Sequence, residues 1–197
     1  CIKLVAKDHL FLKGRIIVVS SGNFLVSIIG RDCVGIVSDV SGYLFDIGAN
    51  LADGSYAVLG EGFEFSCIMS FSEEQDLTEI QNGLMSLETL QGARITITPF
   101  EFGVDRGDTA EISHILEITG GDRPGLIARM SEVLVDYSAN IVRMSSKRVI
   151  DETGKAHYRT RFAINADQSR FDALSAALFN TAGSLRLDCR IEAIDKR

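Results

Sequence analysis

Apolar residues recur along this chain with two periods, and the switches between them predict its elements. Phe24-Leu25-Val26-Ser27-Ile28-Ile29 is a short apolar run ending at Gly30, the pattern of a buried strand. Beyond Gly30, Ile36, Val37, Val40, Leu44 and Ile47 recur every three to four residues, which predicts an amphipathic helix stopping at Gly48. A strand follows over 50–60, and Gly60-Glu61-Gly62 makes a tight hairpin turn. Phe63, Phe65, Cys67, Met69 and Phe71 then alternate strictly, so the next strand has one apolar face. Ser72-Glu73-Glu74 opens a second helix with acidic residues in its first turn, and Leu77, Ile80, Leu84 and Leu87 form its buried stripe. Ile95 and Ile97 belong to a closing strand that runs toward Pro99.

The second half has the same order. His114 to Ile118 is a strand, and Leu126, Ile127, Met130, Val133, Leu134 and Tyr137 make a helix stripe. Strands over 140–150 and 157–165 are joined through Asp151-Glu152-Thr153-Gly154. Phe171, Leu174 and Leu178 mark a helix, and Leu185, Leu187, Cys189, Ile191 and Ala193 alternate in a last strand. Aligned without gaps, residues 24–60 and 114–150 share ten identities: Ile28/Ile118, Gly30/Gly120, Asp32/Asp122, Gly35/Gly125, Ser41/Ser131, Leu44/Leu134, Asp46/Asp136, Ala49/Ala139, Asn50/Asn140 and Ser55/Ser145. Unrelated segments of that length share about two, so the chain is an internal duplication. The expected class is α+β: two ferredoxin-like βαββαβ units, each an antiparallel four-stranded sheet with two helices. The expected boundaries are an N-terminal extension over 1–21, a first unit over 22–103, a linker over 104–111 and a second unit over 112–197. In the extension, Ile16 to Val19 suit an added strand, but no later segment echoes them.

Composition narrows the chemistry. The chain has 197 residues, 46% apolar and 24% charged, with a net charge of −7, which suits globular units and argues against a phosphate-reading surface. The longest apolar stretch is interrupted by Ser20-Ser21-Gly22-Asn23, and the first residues lack the layout of a signal peptide, so a cytoplasmic protein without a membrane anchor is expected. Four cysteines without short-spaced pairing and three scattered histidines predict no metal site; Cys67 and Cys189 sit at positions that suit buried thiols. Arg106-Gly107-Asp108 matches the adhesion tripeptide, a chance match in a chain with no secretory signal. No nucleophile–base pair, paired carboxylates, cofactor fingerprint or helix-turn-helix is evident, so neither catalysis nor direct nucleic-acid binding is expected.

The duplicated loop is the candidate site. Gly30 and Gly120 end a strand where a Cβ would hinder a sharp turn. Gly35 and Gly125 fall in the first helical turn, where the unpaired N–H groups and partial positive charge of a helix start attract carboxylates and phosphates. Asp32 and Asp122 stand just before the helices, where capping is one role and ligand contact another. Pro124 suits a first helical turn. Asn50 and Asn140 follow the helix in both copies, either as residues tolerant of a left-handed turn or as amides holding a polar ligand group. An anion hole beside an amide suits a zwitterion such as a free amino acid.

Asp122-Arg123-Pro124-Gly125-Leu126 between strand and helix, with Asn140 beyond, resembles the ACT domain, and two copies without an attached enzyme resemble the tandem-ACT proteins similar to the glycine cleavage system transcriptional repressor. The resemblance implies a regulatory amino-acid-binding module whose ligands lie at interfaces between units, a homodimer, and action through a protein partner. Carried over by position, the site residues are Gly120, Asp122, Gly125, Leu126 and Asn140, and Gly30, Asp32, Gly35, Ile36 and Asn50 in the first copy. There Cys33-Val34 replace Arg and Pro and Arg31 adds a charge, so unequal binding by the halves is expected. Three other readings compete. In an acylphosphatase-like hydrolase, Arg31 and Asn50 would hold a phosphate and a water. An RNA-recognition sheet needs stacking aromatics and a basic surface. The third is a ligand-free dimerisation module.

Overall fold

The computed structural model describes residues 10–12, 15–17, 19–20, 22–105, 107–121, 125–150, 152–154 and 156–194. The chain divides between Val104 and Asp105 into two compact units. The first contains β1 (Leu10–Leu12), β2 (Arg15–Ile17), β3 (Val19–Ser20), β4 (Asn23–Arg31), α1 (Ile36–Asp46), β5 (Asn50–Leu59), β6 (Gly62–Ser70), β7 (Gln75–Asp76), α2 (Leu77–Met85) and β8 (Arg94–Pro99). The second contains β9 (His114–Gly120), α3 (Leu126–Asp136), β10 (Asn140–Ile150), β11 (Ala156–Asn165), α4 (Phe171–Ser184) and β12 (Asp188–Ala193). Each main sheet is antiparallel with four strands, in the orders β5-β6-β4-β8 and β10-β11-β9-β12. The expected duplicated α+β fold is therefore the one observed.

Each sheet buries one face under its two helices. Phe24, Val26 and Ile28 of β4 meet Ile36, Val40 and Leu44 of α1 and Ile80 and Leu84 of α2. Leu116 and Ile118 of β9 meet Leu126, Met130 and Leu134 of α3 and Leu174, Leu178 and Ala182 of α4. Removing these side chains from water drives each unit to close, at about 25 cal/mol per Å² of apolar surface. Cys67 is buried among them and Cys189 partly so, and burial pushes both thiols above their usual pKa. Among the described residues no helix is long and apolar enough to cross a membrane.

Three boundaries differ from expectation. The second helix starts at Leu77 and not at Ser72, because Gln75-Asp76 first pairs with Val19-Ser20. Asp76 then caps α2, accepting from the N–H groups of Thr78 at 2.8 Å and Glu79 at 3.4 Å. The closing strand starts at Asp188, since α4 runs to Ser184 and Arg186 turns the chain at φ 57°. Leu187 is buried just before the strand. The strand expected at Ile16–Val19 occurs as β2 and β3, with Val18 outside the described residues.

Where the second unit begins, His114 is buried with its ring stacked on Phe171, centroids 3.9 Å apart. The Ser113 hydroxyl accepts from the Ala166 N–H and lies within hydrogen-bond distance of the Ile164 carbonyl, at 3.2 Å, and of His114 Nδ1, at 2.9 Å. Among the described residues Nε2 has no partner. Burial lowers the pKa of His114, because the charged ring would lie in the core with Nε2 unpartnered. The unfolded chain takes up that proton near the usual pKa of about 6.5 while the folded chain resists it. Stability is thus complete above that pH and falls as pH drops below it. Melting temperatures measured from about pH 8 to about pH 5 should decline on the acid side, and His114→Phe, which keeps the stack, should flatten that slope.

Candidate functional site

The duplicated loop leaves each sheet at a point of close approach. Gly30 and Gly120 are still in their strands. A Cβ on Gly30 would come within 2.9 Å of both Ala93 Cβ and Phe63 Cε1, and one on Gly120 would meet the Leu187 side chain. Their shared role is this contact with the residue before the last strand, and not the sharp turn expected from the sequence. Gly35 and Gly125 are the N-cap residues of α1 and α3, just ahead of the first turn, in the left-handed conformation at φ 103° and 82°. No side chain of a described residue caps either helix. The expected capping role of Asp32 is therefore absent.

Asp32 does something else. Its Oδ1 accepts from the Tyr56 hydroxyl at 2.7 Å, and its N–H donates to the Glu61 carbonyl at 3.0 Å. Tyr56 stacks on buried Phe63, so the loop is latched to the β5–β6 hairpin. The hydrogen bond to Asp32, then burial, then the neighbouring negative charge hold the Tyr56 phenol above its usual pKa. Below the loop, Thr89 donates to Asp39 Oδ2 at 2.8 Å. Ser146 stands where Tyr56 would repeat, and its hydroxyl lies 2.9 Å from that of Thr160. The sequence comparison passes over this difference because position 56 is not among the identities.

The remaining candidates divide by exposure. Ile36 and Leu126 are buried in their cores, so what they offer the loop is backbone. Arg31 ends β4 and is exposed, as is Gly121 at the same place in the repeat. Asp122, with Arg123 and Pro124, lies outside the described residues. Asn50 and Asn140 open β5 and β10 and are exposed, each two residues before a one-residue bulge. The Asn140 amide donates to the Thr109 carbonyl at 2.8 Å, and cross-strand Asn165 donates to Glu111 at 2.8 Å and Asp108 at 3.4 Å. The two asparagines fasten the connector to the second sheet. Val37 and Ile127, at matching positions in the first turns of α1 and α3, are 46% and 39% exposed although the periodicity assigned both to the buried stripe. Apolar identity kept at an exposed position in both copies is the signal that could have marked them.

Two βαββαβ units, each with a helix led by a left-handed glycine, define a duplicated ferredoxin-like protein with one repeated loop. The chain belongs to the ACT-domain family, which matches residues 23–98 and again 114–177. A UPF0237 protein of Streptococcus pneumoniae is 33% identical over 73 residues, covering 37% of this chain and 83% of that protein. A solved structure of an unknown protein from Galdieria sulphuraria is 26% identical with a TM-score of 0.68, covering 89% of this chain and all of that one. Another, assigned as a glycine cleavage system transcriptional repressor, shares the fold at 15% identity with a TM-score of 0.62, covering 89% of this chain and 99% of that one. Family membership supports a ligand-binding regulatory role.

Two outcomes check this geometry. Gly125→Ala should lower stability by about 1–2 kcal/mol, the cost of a Cβ in the left-handed region, and Gly125→Asn should recover part of it in urea unfolding. A bulky residue there strains the backbone before it probes a ligand. For the latch, Asp32→Ala should return one of the four tyrosines to an ordinary phenol titration when absorbance is followed through about pH 10. An unchanged curve would mean that the Tyr56–Asp32 bond does not form in solution.

Proposed function

We propose that the chain is a non-catalytic cytoplasmic sensor that binds a free amino acid at its duplicated loop and relays occupancy to a protein partner in metabolic or transcriptional control. The observation that carries this reading is the pair of helix starts at α1 and α3, each led by a left-handed glycine and capped by no side chain of a described residue. The first N–H groups of such a helix suit a carboxylate. In the first copy the ligand would lie near Gly30, Arg31, Asp32, Gly35, Ile36 and Asn50. In the second it would lie near Gly120, Asp122, Gly125, Leu126 and Asn140. Asn50 and the free hydrogen-bonding capacity of Asn140 would meet the polar end of the ligand.

The copies are unequal on this reading. Asp32 is engaged by Tyr56, whereas Ser146 in the second copy bonds sideways to Thr160. The protein would act as a homodimer, with no direct contact to nucleic acid. The name of the repressor whose fold is shared favours a regulatory output, and the absence of a catalytic constellation in the sequence favours binding without turnover.

Thermal shift followed by calorimetry against the common amino acids tests the reading. A ligand at a hundred times its Kd adds about 2.7 kcal/mol to the native state, a plain rise in melting temperature. Asn50→Ala and Asn140→Ala should each weaken binding in their own half. A flat panel in both assays would leave a protein-interaction module in place of a sensor.

A further inference from the structure

The cations of the second sheet gather on one hairpin. Strands β10 and β11 carry Arg143, Lys147, Arg148, Arg159 and Arg161 and no carboxylate. The matching strands of the first unit, β5 and β6, carry Asp53 and Glu64 and no cation. In a chain of net charge −7 this reversal is local to one copy of the repeat. Arg143, Lys147, Arg159 and Arg161 stand on the open face, away from the helices, and Arg148 on the other. The rest of the open face, from β9 and β12, holds Glu117, Asp188 and Glu192 with Arg190. Glu117 lies between Arg161 and Arg190 in the register, and Arg159 Nε reaches its Oε1 at 3.8 Å. Positive charge in excess therefore forms a strip two strands wide along β10 and β11. Lys147 is directly opposite Arg159, a like-charge pair that costs the sheet stability. Among the described residues, Arg143, Lys147 and Arg161 have no ion-pair partner. Strand β10 is also an edge, with nothing among the described residues paired to its outer side. Edge strands often carry cations that repel other strands. That role does not reach Arg159 and Arg161 on the inner strand β11, and the matching edge β5 does without cations. On its helix side the β10 edge leaves Met144 44% and Ile150 63% exposed.

We propose that β10 receives, as a fifth strand, an extended segment of a protein partner in which acidic residues alternate with apolar ones. This rests on the partner relay proposed above and states what that partner would present. Side chains of an added strand alternate between the two faces as those of β10 do. On the open face its carboxylates would meet cations at three successive levels. These are Arg143, then Arg161 reaching across small Ser145, then Lys147 with Arg159, each level about 7 Å from the next. An anion at the last level would also relieve the repulsion between Lys147 and Arg159. On the helix side the alternate apolar residues would cover Met144 and Ile150. Backbone pairing supplies affinity in this mode, and the alternation of side chains supplies specificity. Nucleic acid fits the strip less well. A duplex is wider and would bring phosphates over Glu117, Asp188 and Glu192. The open face also has no Phe, Tyr or Trp on which a single strand could stack.

The test uses the full chain and a fluorescent peptide of about nine residues with glutamate and valine in strict alternation, followed by anisotropy. The peptide should bind at about 50 mM salt and weaken by about tenfold or more at about 500 mM. Arg143→Glu and Lys147→Glu should each weaken binding by about tenfold or more, without lowering the melting temperature, since both side chains are exposed. Two further peptides carry N-methyl groups on alternate residues in opposite phase. One should bind and the other should not, because only one set of N–H groups faces β10. No binding at low salt, variants that bind like the parent, or two methylated peptides that behave alike would each overturn the proposal. Equal binding of a peptide with the same composition and its glutamates in one block would do so too. A duplex oligonucleotide bound more tightly than the peptide, and released by Lys147→Glu, would overturn it in favour of nucleic acid. The peptide assay needs no free amino acid, so its failure would leave the sensor reading to its own calorimetric test.

Discussion

The architecture depends on how closely the first strand of each four-stranded sheet, β4 or β9, passes the entrance to the last. At Gly30 that approach leaves no room for a Cβ between Phe63 and Ala93, and at Gly120 Leu187 fills the same space. A side chain there would part the central strand from its neighbour and lift the loop that follows. Because the contact is satisfied by glycine in both copies, the chain leaves both sheets at the same place. It reaches the helix through a second glycine whose positive φ no β-branched residue would adopt comfortably. Two steric constraints a few residues apart therefore set where the helix start opens.

What differs between the copies is how the loop is finished. The first is held by a phenol–carboxylate hydrogen bond and by Thr89 below it. The second replaces the phenol with a serine committed to its own strand pair, and its asparagine secures the connector through Thr109. Duplication kept the frame, and the side chains around it diverged. The two like-folded halves of this ACT-domain chain therefore present different side chains around the same loop.

Much of the fold was legible because burial imposes periods that survive in sequence. Alternation in Phe63 to Met69 and the three-to-four spacing of Ile36, Val40 and Leu44 follow directly from one-sided packing. Boundaries set by long-range partners were not legible. Asp76 begins α2 only because Gln75-Asp76 first pairs with a segment more than fifty residues earlier. In the site, the two glycines and the asparagine could be found by internal comparison, but their reasons could not. Asp32 reads as a cap until Tyr56 arrives from the next strand, the bond from Asn140 to the connector has no local signal, and His114 reads as an ordinary strand residue until Phe171 covers it.

The bulge that follows Asn140 reaches further than its size suggests. Residues on a strand alternate between faces, so one extra residue decides which set looks outward. With the bulge between Ile141 and Arg143, the open face receives Arg143, Ser145 and Lys147. Without it, the same strand would turn Met144, Ser146 and Arg148 outward and send Lys147 toward the helix-covered side. The electrostatic character of that surface is therefore written as a phase and not as a composition. Loss of one residue beside Asn140 would rewrite it while leaving every cation in the chain.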